Sequence, residues 1–266
     1  MSAMVQDNAS AMLTDCHSHL DRYPPAVVAG MMNRASAADL GAVITAGVDL
    51  DSSRRCLELA ARHPLLWAGV GLHPNRVRGT ETERSYAALD ALAAHPAVVV
   101  WSECGLDYHE GAAPPAAQRR ALERQLTLAR RHGLAAIVHA VGAADDALAV
   151  LVDADMAGRA AIHYFVGDAA LAERYLRAGL YLSVGKPVTR PESAALREAV
   201  RATPLDRLLL ETDTYPLPGR TTEPADVRQV AAAVAALHAV PLETVATATA
   251  ANLARLLGPR GAAALA

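Results

Sequence analysis

Eight short apolar runs alternating with helix-patterned segments constrain the fold of this chain more than any other feature. The runs lie at Met12–Cys16, Ala42–Ala46, Leu66–Gly71, Ala97–Glu103, Ala135–His139, Ala160–His163, Leu180–Val184 and Arg207–Glu211. Between them, segments such as Ser52–Arg62, Glu83–Ala94, Ala116–His132, Asp145–Asp153, Asp168–Ala178, Pro191–Ala202 and Pro224–His238 space their apolar residues for one helix face. Repeated strand–helix units imply a parallel sheet. Eight of them in 266 residues suit a closed (β/α)8 TIM barrel, a single α/β domain, better than an open doubly wound sheet.

Local punctuation agrees with this reading. Gly133 and Gly179 follow expected helix ends, where a left-handed residue closes the last turn. Pro24, Pro115, Pro191 and Pro224 fall near expected helix starts, where a missing N–H costs nothing. The barrel is expected over residues 12–258, with a flexible amino-terminal tail at 1–11 and a carboxyl-terminal tail at 259–266. A last apolar helix, roughly Leu242–Leu257, is expected to pack on the barrel's outside.

Composition limits the function classes. With 52% hydrophobic residues the chain can bury a sizeable core, whereas 4% aromatic residues argue against a broad stacking platform for single-stranded nucleic acid. The net charge of −3 supplies no global field for a polyanion, so a phosphate substrate needs local cations or bound metal. Cys16, Cys56 and Cys104 are odd in number and form no CxxC pair, which suggests reduced thiols and a cytoplasmic location. The start MSAMVQDNASAML lacks a basic region leading into an apolar one, and no membrane association is expected.

The titratable residues collect at strand ends. His17 and His19 are two apart, so an extended backbone turns both rings to one side. Glu103, His139, His163 and Asp213 follow four other apolar runs. Each alone has an ordinary reading as a cap or a hydrogen-bonded core residue. Five strands delivering such groups to one rim point instead to an active site at the carboxyl ends of the barrel strands.

Taken in order, Asp15-Cys16-His17-Ser18-His19-Leu20-Asp21, Gly71-Leu72-His73-Pro74, Glu103-Cys104-Gly105-Leu106-Asp107-Tyr108, His139, His163-Tyr164-Phe165-Val166-Gly167 and Glu211-Thr212-Asp213 resemble the motif series of the TatD family of metal-dependent hydrolases. Gln118, the run Pro204–Leu210 and Asn252 extend the likeness across essentially the whole chain. The resemblance implies two divalent metal ions, Mg, Mn or Zn, with His17, His19, Glu103 and Asp213 around one, and Glu103, His139 and His163 around the other. Glu103 would bridge, Asp213 would take a proton from a metal-activated water, and His73 would bind or orient substrate oxygens. Asp107 and Glu211 are expected to pin loops or neighbouring ligands. The implied activity is a deoxyribonuclease or other phosphodiesterase, 3'-5' exonuclease-like, with DNA strands or strand ends as partner.

Some positions depart from the family pattern. His139 is followed by Ala140-Val141-Gly142 where a polar, arginine-containing stretch is usual, Ser102 replaces a common Gly, and Thr214-Tyr215-Pro216 replaces a Pro-Tyr order. These changes bear on the substrate pocket. Lys186, Arg190 and Arg220, in the loops after the seventh and eighth strands, are candidates to grip phosphate. Two other readings stay open: an ester, lactone or amide hydrolase on the same barrel, including an aminoacyl-tRNA deacylase, and a non-catalytic binding subunit with protein partners in a defence complex.

Overall fold

The computed structural model describes residues 12–264 apart from 80, 82, 220 and 221; the expected amino-terminal tail lies outside the described residues. Eight parallel strands pair in chain order: β1 (Leu13–Ser18), β2 (Leu40–Ala46), β3 (Leu66–Val70), β4 (Val98–Asp107), β5 (Ala135–Val141), β6 (Ala160–Ile162), β7 (Tyr181–Val184) and β8 (Leu208–Leu210). The barrel closes where the Asp213 N–H donates to the His17 carbonyl at 3.0 Å and the His19 N–H donates to the Thr214 carbonyl at 2.7 Å. The chain is a TIM barrel, as the alternation of elements predicts.

Helices α1 (Pro25–Ala37), α2 (Leu50–Ala60), α3 (Glu83–Ala93), α4 (Pro115–Arg131), α5 (Ala144–Asp153), α6 (Ala169–Arg177), α7 (Ala194–Ala202) and α8 (Val227–His238) alternate with the strands. Their ends have local chemical causes. Asp49 and Ser52 form a reciprocal capping box at α2, and Asp168 accepts from the Leu171 N–H at 2.9 Å at α6. Gly133 and Gly179 stop α4 and α6 at φ +65° and +76°, a conformation that a Cβ would strain.

Alternation along each strand sends one set of side chains to the helices and the other into the barrel. Ala135 and Ile137 of β5, Ala161 of β6 and Leu209 of β8 join Cys16, Ile44 and Tyr181 in one buried cluster. His139 and His163 continue the same alternation upward, so the apolar layers form the floor beneath the polar rim.

Two expectations at the carboxyl terminus are corrected. Helix α9 (Leu242–Leu257) does not only lie along the outside: Leu253, Leu256 and Leu257 pack into the interior cluster. Its apolar face is wider than an outer-wall helix needs. The segment expected to be a tail forms α10 (Pro259–Ala264), and the Arg260 guanidinium donates to the carbonyls of Ala93, His95 and Val98. Because Leu256 is buried against residues that cannot collapse inward, Leu256→Ala is expected to destabilise the protein by about 2–5 kcal/mol. Urea unfolding of the two proteins measures this directly.

Candidate metal centre

The rim is assembled by the way β1 and the chain beyond β8 are stitched together. Asp15 is fully buried, and its carboxylate accepts from the Thr212 N–H at 2.9 Å and the Thr212 hydroxyl at 2.6 Å. Burial pushes its carboxyl well above the usual range, against the pull of those two bonds. This anchor sets the next residue, Asp213, in the left-handed region at φ +48°, an uncommon state for a non-glycine residue that clusters at functional sites.

Glu103 stands at the middle, inside β4 and not after it, since that strand runs on to Asp107. Its two oxygens face different partners. Oε2 lies 3.3 Å from His19 Nε2 and 3.6 Å from His17 Nε2, while Asp213 Oδ1 lies 3.4 Å from the same His19 nitrogen. Oε1 lies 2.8 Å from His139 Nδ1, 3.3 Å from His73 Nε2 and 3.6 Å from His163 Nε2. All six expected ligands, and His73 with them, therefore meet at one place.

A second ring of acceptors fixes which nitrogen each imidazole offers. His19 turns Nδ1 to the Ala46 carbonyl at 3.3 Å, and His139 turns Nε2 to Asp107 Oδ2 at 3.2 Å. His163 Nδ1 lies 3.0 Å from Glu211 Oε1, although its N–H does not point along that line. Acceptors behind these rings hold the proton outward and leave a lone pair toward the centre. His73 is the reverse case: its Nδ1 accepts the Asn75 N–H at 3.0 Å, so in the neutral ring the proton sits on Nε2, facing Glu103. Asp107 and Glu211 thus pin ligands, as expected, and His73 is a donor into the site.

Charge balance fits a cation. Burial alone would raise Glu103, but His73, His163 and the bonds from His139 and His17 outweigh it and hold the carboxyl well below its ordinary range. Burial would likewise raise Asp213, yet its bond to His19 and the nearby imidazoles pull it down to about 2. In return, burial opposes charge on His19 and His163, but the surrounding carboxylates lift them to about 10 and about 9. Two protons sit where negative charge is concentrated, and a divalent ion entering these donors would displace them. Donor atoms of His17, His19 and Asp213, of His17, Glu103 and His163, and of His73, Glu103 and His139 lie within 4.8 Å of one another in each set.

The expected phosphate cations are misplaced. Lys186 Nζ is bonded to Asp226 at 3.0 Å, neither it nor Arg190 lines the cavities at the centre, and Arg220 lies outside the described residues. Arg22 and Arg76 line the centre instead, in a cavity of about 350 Å³ shared with His19, His73 and Glu103. Each ends a one-turn 3-10 helix that begins directly after a site histidine, His19 in one case and His73 in the other. The repeated His-x-x-Arg spacing was the available signal. Cys16 and Cys104 are buried and join none of the donor sets; Cys16 Sγ lies 3.1 Å from the Ser183 hydroxyl inside the barrel.

A sequence model described as "TatD related DNase" matches residues 14–258. The chain belongs to the TatD family. It is 32% identical to the metal-dependent hydrolase YabD of Bacillus subtilis, over 92% of this chain and 98% of that one. It is 34% identical to the 3'-5' ssDNA/RNA exonuclease TatD of Cronobacter turicensis, over 85% and 90% of the two chains. Among solved structures, the TatD homologue YjjV of Escherichia coli superposes with a TM-score of 0.85 at 28% identity, covering 93% of this chain and 98% of that one. This TatD-family protein is a metal-dependent hydrolase, and the histidine–carboxylate cluster is where its metal chemistry belongs.

Proposed function

We propose that this TatD-family hydrolase is a phosphodiesterase that removes nucleotides from the ends of DNA strands, with two divalent ions, Mg, Mn or Zn, at the centre. His17, His19, Glu103 and Asp213 would hold one ion, and Glu103, His139 and His163 the other. The observation that carries this reading is the placement of Glu103, whose two oxygens each face a separate set of imidazoles. Bound there, the ions supply Lewis acidity toward a phosphoryl oxygen and acidify a water.

The chain's own residues do the rest. Asp213, ionised and at the edge of both cavities, is placed to accept the proton of the attacking water. His73 presents its Nε2–H to a substrate oxygen, held in that tautomer by Asn75. Arg22 and Arg76 offer guanidinium forks to neighbouring phosphate oxygens. The cytoplasm is the location we assign, on the strength of three buried, unpaired thiols.

Labelled single-stranded DNA incubated with the protein and Mg or Mn is expected to shorten from one end. EDTA should stop this, and His139→Ala should slow it by about a hundredfold or more, since that ring serves one ion and touches Glu103. Metal-loaded protein that leaves every phosphodiester intact but turns over carboxylic esters would defeat the proposal.

A further inference from the structure

Beside the centre opens a second cavity of about 780 Å³, within the size range of pockets that enclose one small ligand. It lies against the segments that follow β5 and β6, and it shares His139, His163, Asp213 and Tyr215 with the smaller cavity. Its walls concentrate what the rest of the chain lacks. Of seven tyrosines in the sequence, Tyr108, Tyr164, Tyr175 and Tyr215 line it, together with the single phenylalanine, Phe165. Two large apolar side chains that folding leaves exposed, Val141 at 48% and Val166 at 61%, also stand there.

Its charge is the opposite of what a phosphate chain needs. No Lys or Arg lines it, and outside the centre its charged residues are Asp145 and Asp146. Asp146 is held by the Tyr108 hydroxyl at 2.7 Å and by Arg119 at 2.9 Å, and Asp145 by Arg174 at 2.5 Å. The smaller cavity across the centre carries Arg22 and Arg76. The mouth is therefore divided, with aromatic and apolar walls on one side, cations on the other, and the histidines between them.

We infer that the larger cavity is a subsite for one terminal nucleoside, its base against the tyrosine and valine walls, while Arg22 and Arg76 take the phosphates that follow. The inference rests on the phosphodiesterase reading and adds an orientation to it: a strand enters end first, and the scissile phosphate lies at the junction of the two cavities. A base has a face to stack and no charge to bury, which suits these walls; a phosphate does not. A phosphomonoester on the entering end would sit near Asp145 and Asp146, so a hydroxyl end is preferred.

Adenosine, which has no phosphodiester to cleave, probes the subsite alone. Ligand-detected NMR is expected to show it binding at millimolar concentration, with binding lost in Val166→Glu and kept in Val166→Leu. Val166 is exposed, so neither change threatens the core. With end-defined oligodeoxynucleotides, Val166→Glu should lower kcat/KM about tenfold or more, the scale of one lost stacking contact. A terminal phosphate at one end should slow cleavage comparably, and the double variant Asp145→Asn, Asp146→Asn should relieve that block. Adenosine that fails to bind, or binds Val166→Glu equally well, overturns the subsite whatever DNA does. Indifference to a phosphate at either end overturns the end-first orientation. Valine-dependent adenosine binding without cleavage of any oligonucleotide supports the subsite and sinks the phosphodiesterase reading.

Discussion

Glu103→Gln is expected to cut hydrolysis by about a thousandfold or more, a loss of about 4 kcal/mol in transition-state stabilisation, and to lower divalent-metal content sharply. The substitution preserves shape and volume. It removes the charge that draws two sets of imidazoles together, and one of the two oxygens becomes an NH2. Whichever way the amide turns, either His17 and His19 or His73, His139 and His163 face a group with no lone pair to offer a cation. Elemental analysis of the purified variant and its kcat/KM on a labelled strand test this together. Full metal content with activity within tenfold of the parent would mean that Glu103 is not shared.

Gly105→Ala should be the most damaging single methyl group in the barrel. Gly105 pairs with His139 in the ladder between β4 and β5, at φ +150°. A Cβ there would lie 2.0 Å from the His139 carbonyl oxygen and 2.7 Å from its amide nitrogen, and backbone atoms have no rotamer by which to withdraw. The two strands must separate at the residue that carries an imidazole into the centre. We expect a loss of about 3 kcal/mol or more, seen as a fall in Tm of about 10 °C for a domain of this size. Reduced activity should accompany it even in the folded fraction. A variant melting within about 2 °C of the parent would show that β4 and β5 can part without cost.

What the sequence discloses follows from which interactions are periodic. Strands such as Ala135–Val141 announce themselves because buried parallel strands need uninterrupted apolar runs, and the histidines are legible because each ends or follows such a run. Helix α1 is marked only by Pro24, since Gly30, Asn33 and Ser36 blur its apolar stripe. The full length of β4 is hidden as well, because Ser102, Glu103 and Asp107 read as a strand's exit when they lie within it. Arg22 and Arg76 are invisible for another reason: arginine is abundant on any surface, and only their one-turn helices bring them back over the centre. Lys186 fails as a candidate because Asp226 claims it.

The leucines that α9 sends into the interior have a consequence for how the molecule comes to be folded. During synthesis all eight strands emerge before residue 253 exists, so a nascent barrel must wait with its base unstoppered, its inner apolar layers wetted from below. Completion of the core is thereby postponed to the last turns of a helix that belongs to none of the eight repeats.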